Sequence, residues 1–306
     1  MTWFLVKRIL SSIVTIFIIS TVTFFLMHAV PGGPFAQNEK LGQGVIKQME
    51  AKYGLDRPIM EQYGHYLGNL VQGDLGMSIT SKEGKTVNDI IGLKFPLSAG
   101  LGGLAILLAL ILGLFMGSIA ALRHEKMTDR VVMFISTLGI AVPGFIMGTL
   151  LLLLFGVAFR LIPVLWTGIP INYILPTFTL AFYPACFIAR LTRSSLLEVL
   201  GQDYIRTARA KGMSRGIVLV KHAMRNAILP VVTYLGPLIA YVLVGSFVVE
   251  KIFSVPGLGQ FFVESITSRD YPMIMGTTIF LAALIIVMNL IVDILYAVID
   301  PRIKLK

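Results

Sequence analysis

Six long apolar runs, set apart by shorter polar stretches, leave this chain few ways to fold. A backbone in hydrocarbon must satisfy its own amides and carbonyls, so a run of about 20 apolar residues becomes a helix that crosses the bilayer. The runs cover residues 9–30, 97–122, 131–159, 173–189, 229–249 and 273–299. The first follows Lys7 and Arg8, as in a signal peptide. It is too long for a signal core and no small-residue cleavage site follows, so it is expected to stay as a span. The third is long enough to tilt. The fourth is short and holds Pro176 and Pro184. Composition points the same way. The chain is 56% hydrophobic and 14% charged, with a mean hydropathy of +0.83, whereas soluble domains carry about 25% charged residues. The expected fold class is an all-α membrane protein with six transmembrane helices.

Charge sets the orientation. The segments 1–8, 123–130, 190–228 and 300–306 hold 16 Lys and Arg against 5 acids. The segments 31–96, 160–172 and 250–272 hold 10 Lys and Arg against 10 acids. Basic excess marks the cytoplasmic side. Both termini are therefore expected in the cytoplasm, as an even number of spans requires, with residues 300–306 as a cytoplasmic tail. Residues 31–96 form the large outer loop. It opens on the break PGGPF at Pro31, reads as partly helical from Gln43 to Tyr66 with interruptions at Gly54 and Pro58, and turns at GDLGMS from Gly73. Two short helices are expected there.

Several chemistries are missing. Gly84-Lys85-Thr86 lacks the earlier glycine of a phosphate loop, and no HExxH or GxSxG occurs. His28, His65, His124 and His222 lie at or beyond span ends, and none pairs with another at metal-ligand spacing. The lone Cys186 allows no internal disulfide and reads as a small core residue. Charged residues within membrane spans mark ion or proton paths. Here only Asp293 falls inside a run, with Asn289 one turn before it; a structural cap and a relay both fit. Gly113 with Gly117, and Gly144 with Gly148, permit close helix approach. The prolines in the runs either bend the bundle or line a solute path. No catalytic residue and no cofactor is expected in this chain, and the energy for uphill transport must come from a partner.

The polar segment 190–228 carries eight basic residues and is longer than a turn needs. Asp203 is placed to cap a helix over residues 204–211. Gly212 suits a left-handed helix end. Ser214 is placed to cap a second helix from Arg215 to about Asn226, which runs into the fifth span at Pro230. The first helix is too short to stand alone, so it needs a surface. Ala208 and Ala210 allow close approach, and Arg206, Arg209 and Lys211 surround them with positive charge. Docking to a soluble partner and contact with anionic lipid both fit; nucleic acid is disfavoured, because no binding module accompanies the charge.

The string RTARAKG from Arg206, followed by KHAMRNAILP from Lys221, resembles the cytoplasmic loop signature of permease subunits of binding-protein-dependent ABC importers. Arg206-Thr207-Ala208 stands where that family has Glu-Ala-Ala, and Gly212 matches its glycine. The 14-residue spacer from Gly212 to Ala227 is longer than usual, as in the peptide and nickel branch. PGGPF at Pro31, YGLDRPIMEQYGHYL at Tyr53, GDLGMS at Gly73, EKIFSVPGLGQ at Glu250, SRDYPMIMG at Ser268 and IVDILYAVIDPRIK at Ile291 extend the resemblance along nearly the whole chain. They look most like the first permease subunit of oligopeptide importers. The resemblance implies a type I permease domain over residues 97–299 and half of a peptide pathway. Dipeptides and metal complexes remain alternative cargo; a self-powered transporter is the further alternative. It also implies the partners: a second similar permease subunit, two cytoplasmic ATPases that use ATP and magnesium, and an extracellular solute-binding protein. The residues implied to couple to an ATPase are Asp203, Tyr204, Arg206, Thr207, Ala208, Arg209, Ala210, Lys211 and Gly212.

Overall fold

The structure is a computed structural model that describes residues 2–31, 33–35, 43–81 and 84–299. The tail at 300–306 and parts of the large loop, Gly32 among them, lie outside the described residues. Among the described residues, five helices are long and apolar enough to cross a membrane, or six if one sharply bent pair counts as a single span. The chain divides into two compact units, one containing Gly257–Val287 and the chain up to Pro96, the other Leu97–Pro256 and the chain from Met288.

In the first unit, α1 (Thr2–Ala29) covers the first apolar run. The large loop forms α2 (Gln43–Lys52) and α3 (Ile59–Val71). The interruptions sit where the sequence puts them. Gly54 has φ +67°, and Pro58 precedes the first turn of α3, where a missing amide costs nothing. Phe24 of α1 packs with Tyr63 and Tyr66 of α3 and with Tyr271 and Met275. The turn at Gly73 is pinned by Asn88, which donates to the Gly73 carbonyl at 2.7 Å and accepts from the Leu75 amide at 3.0 Å. Asp270 is fully buried. It accepts from Ser78 Oγ (2.5 Å), Thr80 Oγ1 (2.8 Å) and the Thr80 amide (3.0 Å). Its other oxygen accepts from the Met273 amide at 3.1 Å, capping α13 (Tyr271–Ile299). A cavity of about 390 Å³ in this unit is lined by His28, Tyr53, Arg57, Gln62, Tyr66 and Tyr271 among others. The Tyr66 hydroxyl beside it is buried without a hydrogen-bond partner, and burial pushes its phenol upward from the ordinary value.

One helix in this unit was not expected. Within 250–272 the chain forms α12 (Leu258–Ser268), which buries Leu258 and packs Phe261 beside Val87 and Met273. It ends at Arg269 in the left-handed region, φ +56°.

The second unit is built round α7 (Ile174–Leu200), whose span is 56% buried against 11% for α1. The fourth apolar run is thus the most enclosed, although it is the shortest. Its alanines, Ala181, Ala185 and Ala189, let neighbours approach. The helix α4 (Val87–Leu122) starts ten residues before the expected Leu97 and runs through Pro96. Gly113 and Gly117 of α4 lie against Ile188 and the Ala185 and Ala189 carbonyls of α7. Close packing is therefore their role.

The third run corrects the expectation of one tilted helix. It forms α5 (Met127–Ala141), then α6 (Gly144–Leu151) continued by a wide π-type turn over Leu152–Ala158, and the two halves are bent by 104°. The cause is local. Val142 precedes Pro143 and is extended (ψ 121°), as the proline ring demands, and Pro143 stands at the capping position of the new helix, which starts at Gly144. Gly139 sits against Cys186, which is buried as expected. α11 (Leu229–Ile252) covers the fifth run and keeps Pro237 inside. It extends past the expected end, so Glu250, counted with the outer loop, is a buried helical residue. Asp293 lies within α13 and is partly buried.

Candidate functional site

The segment 190–228 is less of a loop than its charge suggests. α7 continues to Leu200, so Arg190 and Arg193 are helical. A two-residue break leads to α8 (Asp203–Ala210). Asp203 corrects the expected cap. Gln202 holds the capping position, without a side-chain bond, and Asp203 is the first helical residue. A carboxylate there still suits the positive end of the helix dipole. It faces Arg206 at 3.5 Å, with both side chains largely exposed, so the pair adds little stability. The helix ends at Ala210, one residue early, with Lys211 as its cap. Gly212 has φ +78°, the left-handed turn predicted for it. Ser214 also behaves as predicted, accepting from the Ile217 amide at 3.5 Å. The second helix is broken in type. α9 (Arg215–Ile217) opens into a π-type turn over Val218–Ala223, which closes into α10 (Met224–Ala227) before α11 begins.

α8 has two faces. Ile205, fully buried, and Ala208, 4% exposed, turn into the chain. They are three apart and so lie together. They pack with Leu196 of α7, Ala121 of α4, and Val218, Ala223 and Ala227 of the following segment. Ala208 is therefore a seat residue, which corrects its assignment to the contact surface. Ile205 was not singled out, although its spacing to Ala208 signals such a seat. Asn226 donates to the Tyr204 hydroxyl at 2.8 Å, a second fastening. Asp203, Tyr204, Arg206, Thr207, Arg209, Ala210, Lys211 and Gly212 are exposed. A firmly seated helix thus presents a basic outer face.

A polar cluster lies nearby. Asp129, in the first turn of α5, is 3% exposed. Its Oδ1 accepts from Arg193 Nε at 2.6 Å and its Oδ2 from Arg193 Nη2 at 2.8 Å, a bidentate pair. The Glu125 amide donates to Oδ2 at 3.0 Å, and His124 Nδ1 lies 3.3 Å from Oδ2 and 3.1 Å from Arg193 Nη2. In the sequence each stands among loop charges, Asp129 in segment 123–130 and Arg193 in segment 190–228.

These features define a multi-pass membrane protein with a rigid polar platform between two of its spans. The family model described as the inner membrane component of binding-protein-dependent transport systems matches residues 87–305, beginning where α4 begins, and the model for the N-terminal part of such components matches residues 1–101. The chain belongs to this family: it is a multi-pass transport permease component of the cytoplasmic membrane. A dipeptide transport system permease protein of Bacillus subtilis is 49% identical over 306 residues, covering 100% of this chain and 99% of its own. An oligopeptide transport system permease protein of Haemophilus influenzae is 42% identical over 303 residues, covering 98% and 99%. A crystal structure of an amino acid ABC transporter with histidines aligns with TM-score 0.51 over 71% of this chain and 95% of its own, at 19% identity, and shares the fold.

Proposed function

We propose that this chain is one of two permease subunits lining the path of a peptide ABC importer, and that α8 is its docking element for an ATPase. The observation that carries the reading is the two-faced α8, seated by Ile205 and Ala208 and exposing Arg206, Thr207, Arg209, Ala210 and Lys211. A helix of two turns held this firmly moves as part of α7 and of the segment leading to α11, so a push on it reaches the spans. The peptide cargo is supported by the names of relatives that align over the full chain. In this reading a second permease subunit completes the path, two ATPases supply the energy from ATP and magnesium, and a solute-binding protein delivers peptide to the face bearing α2 and α3. Both termini and α8 face the cytoplasm.

Orientation is tested with single cysteines after replacing Cys186. An impermeant thiol reagent on intact cells is expected to label Met60→Cys, on α3, where Met60 is 67% exposed. It should spare Ser214→Cys. The reverse pattern inverts the topology.

Docking is tested at the corner. Valine at Gly212 must adopt φ near +78°, which costs about 1–2 kcal/mol for a residue with a Cβ. Gly212→Val and Ala210→Glu are expected to lower ATPase co-isolation and uptake of di- and tri-alanine about tenfold, with membrane insertion unchanged. Normal co-isolation in both variants would place α8 on lipid instead. Uptake that continues without ATP hydrolysis would favour the self-powered alternative.

A further inference from the structure

The buried residues of α5 are Asp129, Ser136 and Gly139. No apolar side chain of this helix is fully buried: Val132, Met133 and Ile140 are half-buried, and Met127, Val131 and Phe134 are 72%, 44% and 65% exposed. A helix normally joins its neighbours through an apolar stripe. In its first turn α5 joins α7 through the bidentate pair Asp129–Arg193, and Asp129 is its only fully buried side chain there. Arg193 stands one turn before Leu196, which carries the seat of α8. From there α5 leads to the 104° bend at Pro143. The last turns of α7 therefore hold α8 by apolar contact and α5 by an ion pair.

We infer that Asp129 and Arg193 are positioning residues that pass the displacement of α8 to α5 and so to the bend at Pro143. The inference rests on the reading of α8 as the ATPase docking element. The chemistry suits the task. Asp129 is buried and Arg193 is 23% exposed; such a pair contributes little net stability, because desolvating the carboxylate and part of the guanidinium offsets their attraction. It does fix distance and angle, because the planar fork meets the carboxylate in one arrangement. An apolar contact between the same helices could slide; this one must either hold or break.

The experiment uses the full transporter in proteoliposomes: this chain, the second permease subunit, both ATPases and the binding protein. ATP hydrolysis and uptake of labelled di- and tri-alanine are measured together. Asp129→Asn and Arg193→Gln are expected to keep ATPase association and hydrolysis, while peptide moved per ATP falls about tenfold. The double variant D129N/R193Q should lose no more than either single one, because both break one link. D129L/R193M replaces the pair by apolar groups of similar volume, a change expected to leave stability near that of the native chain. It should assemble fully and remain uncoupled. A wild-type ratio of peptide to ATP in D129L/R193M overturns the inference, as does loss of assembly in every variant, which makes the pair a folding element. Wild-type assemblies that hydrolyse ATP yet move neither peptide remove the functional reading, and this inference with it.

Discussion

Ile205→Asp is expected to unseat α8 and expose its backbone to trypsin. Ile205 is fully buried among Leu196, Val218, Ala223 and Ala227. The change removes about 2–3 kcal/mol of apolar burial and places an unpaired carboxylate where water is excluded. A two-turn helix has almost no stability of its own, so losing the seat unfolds it. The damage stays local, because α7 and α11 keep their own packing, and the global melting temperature should change little. The readout is cleavage of the purified chain after Arg206, Arg209 and Lys211, all exposed on α8 or its cap. When opening is fast, cleavage follows the open population, so an increase of about a hundredfold is expected. Tyr204→Phe, which loses only the bond from Asn226, should raise it about fivefold, in keeping with about 1 kcal/mol for one exposed hydrogen bond. If Ile205→Asp is cut no faster than the native chain, α8 is not held by this seat, and the lever drawn from it fails.

The parts of this structure that sequence revealed share one property: they follow from local rules. Apolar length locates the spans, because the bilayer fixes it. Gly54, Pro58, Gly212 and Ser214 sit where backbone chemistry puts them. The break at Pro143 obeyed an equally local rule at Val142, yet uniform apolarity across residues 131–159 concealed it. The end of α7 was obscured for the opposite reason. Arg190 and Arg193 look like the start of a loop, but Ala189, Thr192 and Leu196 continue a buried stripe beneath them. Asp129 and Arg193 could not be paired from one sequence, because 64 residues separate them and each reads alone as a surface charge. The helix α8 was visible in its charge and in the turn at Gly212. Which of its residues face inward depended on Leu196 and Val218, which only the fold brings to it.

The packing that carries this platform predicts opposite signs for two glycines on one helix. In α4, a Cβ at Gly117 would lie 2.5 Å from the Ala189 carbonyl oxygen and 2.7 Å from Thr192 Cβ. At Gly103 a Cβ would meet nothing within 4 Å. The first obstacle is mostly backbone, so no rotamer relieves it, and α4 must move off α7. In lipid no hydrophobic effect pulls helices together, and close van der Waals contact is what would be lost. Gly117→Val is expected to cost about 3 kcal/mol or more, lowering the melting temperature of the purified chain by roughly 10 °C. Gly103→Val should leave it nearly unchanged. The alanine pair makes the sharper comparison, because alanine in a helix is better than glycine by about 1 kcal/mol. Gly103→Ala should therefore stabilise the chain while Gly117→Ala destabilises it. Because Ala121, one turn beyond Gly117, helps seat α8, the Gly117 variants should also speed trypsin cleavage at Arg206 and Arg209. A common sign at the two glycines would mean that helix propensity governs both, and that α4 does not rest on α7 through Gly117.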